Sequence, residues 1–213
     1  MKMKLAAMIL AIAQPFLLAP GIAFAAIPDP ARPQAAASTA QCSTTGANEL
    51  TITCSYTPAS PAGADGGNVP RIVLTRAFLS FNTAEDSDMS VELTFSNESG
   101  SKIAVRQTVY LEINDAMGQN HLRRPLPRVD FTKLEPGKPL KFQEKLLAPG
   151  FSTGSYTVSI WIPSTDPSLK FNAAHNFLLS STGVPDPATG LNEIAKFTAK
   201  TPTRRGPPAK QYR

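Results

Sequence analysis

The chain has 213 residues, with 21 Lys and Arg against 16 Asp and Glu, two Cys and one Trp. Seven of the basic residues lie at the ends: Lys2 and Lys4 before the first apolar run, and Lys200, Arg204, Arg205, Lys210 and Arg213 in the last fourteen positions. The remaining 14 bases nearly balance the 16 acids, which excludes a strongly basic, nucleic-acid-binding body.

Residues 1–25 carry the charged, apolar and small-residue regions of a secretory signal peptide, ending in Ala23-Phe24-Ala25. The apolar run is interrupted by Gln14 and Pro15 and falls short of the roughly 20 residues that span a bilayer. The expected location is therefore outside the cytoplasm, periplasmic or extracellular, with no transmembrane segment after cleavage. Residues 26–70 read as an Ala/Pro-rich linker that contains one ordered feature, the stretch CSTTGANELTITC. Cys42 and Cys54 flank a Gly-Ala-Asn turn and a β-rich run, so they are expected to form a cross-hairpin disulfide, as an oxidising compartment allows.

From Arg71 onward the dominant period is two. Strands are expected at 72–81, at 89–95 with Met89, Val91, Leu93 and Phe95 inward, and at 103–113 with Ile103, Val105, Val109, Leu111 and Ile113 inward. Gln107 interrupts that last set and suggests a bulge or a partnered buried amide. Further strands are expected at 139–147, 155–162, 177–180 and 194–199, with 121–128 (HLRRPLPR) as an inter-strand loop. No long amphipathic helix is present. Short strands separated by turn signals predict an all-β fold, an antiparallel immunoglobulin-like β-sandwich over 71–200, preceded by the disulfide hairpin. Residues 201–213, with tandem prolines and no apolar pattern, read as a disordered basic tail.

Residues 134–194 carry three landmarks: Gly154 to Tyr156 opening a strand, then IPSTDPSLKFNAAHNFLL, then DPATGLN. In these the chain resembles the C-terminal β-sandwich found after a glycoside-hydrolase-like barrel in uncharacterised exported bacterial proteins, a domain of unknown function. The resemblance implies a sandwich fold and a carbohydrate context. It departs from the family in having no barrel, and no catalytic residue carries over with it.

Several motifs bear on chemistry. GFSTG at 150–154 satisfies G-x-S-x-G, and Asp166 and His175 follow Ser152 in hydrolase order. A nucleophile elbow needs a strand before the serine and a helix after it, whereas here a strand follows, so a turn is expected and a serine esterase remains the remote alternative. His121 and His175 lack metal-ligand spacing, and Cys42 and Cys54 have no neighbouring histidines to complete a tetrahedral shell, so no metal and no cofactor are expected. Glu85 to Asp88 (EDSD) read as a solvated acidic turn in place of a calcium loop. Asn97 opens an N-x-S pattern. Arg123, Arg124 and Arg128 gather guanidinium groups suited to carboxylate or phosphate.

The strand at 155–162 poses the sharpest question. Tyr156, Val158, Ile160 and Ile162 share one side, which places Trp161 on the other with Thr157 and Ser159. The same parity puts Tyr110, Arg106 and Glu112 on the polar side of their strand. Aromatic rings flanked by charged groups suit sugar recognition, so Trp161, Tyr110, Arg106 and Glu112 form the candidate ligand face. The more ordinary reading of such a face is that the hairpin or a long loop lies over it and buries Trp161. The expected function is a non-catalytic envelope module binding carbohydrate, or a protein-interaction or assembly subunit of an envelope complex.

Overall fold

The computed structural model describes residues 41–46, 48–59, 70–181 and 183–200. The expected signal segment, much of the linker and the basic tail lie outside these residues. The strands described are β1 (Gln41–Thr45), β2 (Glu49–Ser55), β3 (Ile72–Asn82), β4 (Ser87–Asn97), β5 (Tyr110–Asp115), β6 (Asn120–Pro125), β7 (Leu140–Ala148), β8 (Gly154–Trp161), β9 (Pro185–Asp186) and β10 (Leu191–Ala199). They form two antiparallel sheets, ordered β1-β2-β3-β4-β7 and β6-β5-β8-β10-β9. The set β3-β4-β7 facing β6-β5-β8-β10 is an immunoglobulin-like sandwich whose fourth strand, β6, edges the second sheet.

Alternation builds the core. Met89, Val91, Leu93 and Phe95 of β4 are buried as expected, and Tyr156, Val158 and Ile160 of β8 face them in the same cluster. Each such side chain contributes about 1.5–3 kcal/mol by leaving water. Tyr156 opens β8, and its hydroxyl donates back to the Ser152 carbonyl at 3.0 Å, the tyrosine corner of this fold class. GFSTG is therefore the turn that the corner clamps.

The hairpin is as expected: Cys42 and Cys54 are register partners and are bonded. Gly46 makes its turn with φ +92, and a Cβ there would lie 1.7 Å from the Glu49 carbonyl oxygen. β2 pairs with β3 from Glu49 to Ser55, so the hairpin is continuous with the first sheet.

Three expected elements differ. The strand expected over 103–113 begins only at Tyr110, because residues 101–109 cross from the first sheet to the second. Ile103 and Val109 still reach the core, whereas Val105 is 57 % exposed. The expected loop at 121–128 contains β6. Residues 177–180 are not a strand: the Asn192 side chain holds them, accepting from Leu179 N–H at 2.7 Å and donating to the Phe177 carbonyl at 3.1 Å. Asn97, opening the N-x-S pattern, is wholly buried and donates to the Ser101 carbonyl at 2.9 Å, so it serves the turn rather than the surface.

Candidate ligand-binding face

Pairing within the second sheet sets up its outer face. β5 and β8 place Tyr110 beside Trp161 and Glu112 beside Ser159, and β6 places Arg123 beside Glu112 on the other flank. Trp161 does point away from the core strands' inward set, as parity requires. It is only 4 % exposed, so of the two readings of this face, open platform or covered indole, the covered one holds. The cover is a loop, not the hairpin.

That loop is the strap joining β8 to β9, roughly residues 163–176. Phe171 stacks on Trp161 with ring centroids 5.7 Å apart and planes at 22°. Tyr110 lies 5.0 Å from Trp161 on the sheet itself, and the Arg123 guanidinium carbon sits 4.6 Å over the indole. The Lys170 ammonium lies 5.5 Å from the Tyr110 ring, 5.8 Å from Trp161 and 5.6 Å from Phe171. The surface that meets solvent is therefore Phe171, 76 % exposed and backed by a buried indole.

Local chemistry holds the strap in place. Asp166 caps a short 3-10 turn at Pro167–Leu169, accepting from the Ser168 hydroxyl at 2.8 Å and its N–H at 2.9 Å, contacts that hold its carboxyl below the ordinary 3.8. Asn172 caps a second turn at Ala173–His175. The Phe177 N–H donates to the Ile162 carbonyl at 2.8 Å, and the Asn176 amide to the Gly190 carbonyl at 3.1 Å. Gly190 has φ +68, and a Cβ there would come within 2.6 Å of the Ala173 carbonyl oxygen.

Charge on this face is uneven. Glu112 is 2 % exposed and accepts from Arg123 Nε at 2.5 Å, so that buried carboxylate is matched. Among the described residues no carboxylate forms an ion pair with Lys170. The Ser159 hydroxyl beside Glu112 is buried with no hydrogen-bond partner among the described residues.

The other expected site residues are dispersed. Arg106 is not in β5; it donates to the Pro127 carbonyl at 3.1 Å and lies 3.9 Å from Asp130. Arg123 and Arg124 alternate across β6, and Arg128 pairs with Glu144 of β7, its N–H donating to that carboxylate at 2.5 Å. The arginines thus do not form one anion cluster, because strand parity separates the first two and a turn carries off the third. His121 meets Asp115 at 3.0 Å, and that hydrogen bond is the largest cause lowering the Asp115 carboxyl below 3.8.

The remaining motifs also resolve into placements. Ser152 precedes β8 while Asp166 and His175 follow it, about 25 Å away for an eight-residue strand, so these three do not meet. In the acidic turn, Asp86 accepts from Gly150 N–H at 2.9 Å. Among the described residues no three His, Cys, Asp or Glu side chains are grouped to hold a metal ion.

Lys170 and Phe171 are the residues that strand patterning missed. Their signal was present in STDPSLKFN, where two capping residues, Asp166 and Asn172, bracket a cation and an aromatic in a loop. No protein-family model matches the chain, no curated protein matches its sequence, and no solved structure matches its fold.

Proposed function

We propose that the protein is a non-catalytic, exported β-sandwich module that binds carbohydrate on the outer face of its second sheet. The observation that carries this reading is Phe171, held solvent-facing by stacking on a buried Trp161 and flanked by Tyr110, Lys170 and Arg123. A pre-set aromatic plane packs against sugar C–H groups with little ordering cost, and cations beside it serve hydroxyl and carboxylate oxygens. Trp161 acts here as the support, and Phe171 as the ring a sugar would meet. The signal-like segment and the Cys42–Cys54 disulfide support export. The resemblance to sandwiches accompanying glycoside-hydrolase-like barrels agrees with the ligand class. Glycan-array binding that disappears in Phe171→Ala, with the fold intact by circular dichroism, is the expected result; undiminished binding would overturn the reading.

A specific observation favours a second reading, assembly with an extended segment of an envelope protein. Of the four edge strands described, β6 carries Arg123, Arg124 and Pro125, β7 carries inward-pointing Glu144 with Lys141 and Lys145, and β9 is two residues long with Pro185. Such features block strand addition. β1, QCSTT, has neither charge nor proline and is exposed throughout. Co-purification of a partner that Ser43→Lys abolishes and Phe171→Ala leaves intact would favour assembly over glycan binding.

A further inference from the structure

We infer that the ligand of this face is an acidic saccharide, with a sugar ring on Phe171 and its carboxylate at Lys170. The inference rests on the saccharide reading above and adds its charge class. Two cations touch the aromatic cluster, and only one is matched: Arg123 is taken by the buried carboxylate of Glu112, whereas Lys170 has no acid among the described residues. Asp166, the acid within the strap, is engaged by Ser168.

Position completes the argument. Lys170 is half-buried, with its ammonium 5.5–5.8 Å from three rings. Those rings displace water from one side of the charge, so an anion arriving from the open side meets a partly desolvated cation. Lys170 also adjoins Phe171 in sequence, which places the charge at the rim of the exposed ring. A uronic acid presents the same pairing, an apolar ring face with a carboxylate at its edge. A neutral sugar would fill the ring face and leave the cation unmatched.

The test is calorimetric titration of the full chain with hexagalacturonate and with an uncharged hexasaccharide, at low and physiological salt. The expected result is at least about tenfold tighter binding of the acidic chain, weakening as salt rises. Lys170→Gln should reduce it to the uncharged level, and Lys170→Arg should retain most of it. Equal binding of both hexasaccharides, unaffected by Lys170→Gln, would overturn the inference while leaving the saccharide reading standing. Binding of neither, with the fold intact by circular dichroism, would overturn the underlying reading as well. Acetate binding as tightly as the hexamer would contradict the ring-plus-carboxylate arrangement.

Discussion

Arg123 and Glu112 show how one contact can serve both stability and the candidate site. The guanidinium neutralises a carboxylate on the outer face of a sheet and also covers Trp161. Arg123→Ala would leave Glu112 buried and unpaired, and because the arginine is itself partly exposed the expected cost is about 2 kcal/mol, below the range for a fully buried pair. Replacing both, as Arg123→Met with Glu112→Leu, should recover most of that loss, and urea midpoints of the three variants check it. Trp161 is the chain's only tryptophan, so its fluorescence reports this face alone. Phe171→Ala should shift its emission to longer wavelength and increase acrylamide quenching, because the stacked ring is its cover. The direction of Trp161 followed from strand parity; its burial did not, since that depends on a strap ten residues further on.

Strands and turns set the next level. The disulfide closes the β1–β2 hairpin across a sequence separation of 12, and its reduction should cost about 3 kcal/mol in the chain-entropy account. Loss of the tyrosine-corner hydrogen bond in Tyr156→Phe should cost about 1 kcal/mol by chemical denaturation. β3, β4, β7 and β8 were readable from alternation because each sends every second side chain into the core, although the strap covers the outer face of β8 at Trp161. Residues 101–109 misled for a definable reason. The segment crosses between sheets, so Ile103 and Val109 are buried by separate contacts while Val105 between them is exposed. β6 was hidden by composition: His, Arg and Pro are poor strand signals, yet suit an edge strand that must resist further pairing.

At the scale of the whole molecule, the sandwich was legible because only a second sheet can bury so many single-faced strands. The ligand face was half legible: its sheet residues Tyr110, Glu112 and Trp161 come from periodic strands, but Lys170 and Phe171 come from a loop without a period. The fold also predicts its behaviour in acid. Asp115, Asp130 and Asp166 titrate below the ordinary 3.8 in the folded chain, chiefly through hydrogen bonds from His121, Thr132 and Ser168 respectively. A depressed folded value means stabilisation that is complete above 3.8 and is lost as pH falls through the folded values. The melting temperature should therefore fall below about pH 4 through these groups, and Asp130→Asn should flatten the descent.

The claim that the outer face of the second sheet receives the ligand is tested most directly by nitrogen–proton correlation spectra of the intact protein during titration with hexagalacturonate. The single Trp161 indole N–H should give one side-chain cross-peak that moves saturably, together with the amides of Lys170 and Phe171. Saturable shifts confined to β1 or to β7, with the indole peak unmoved, would contradict the account.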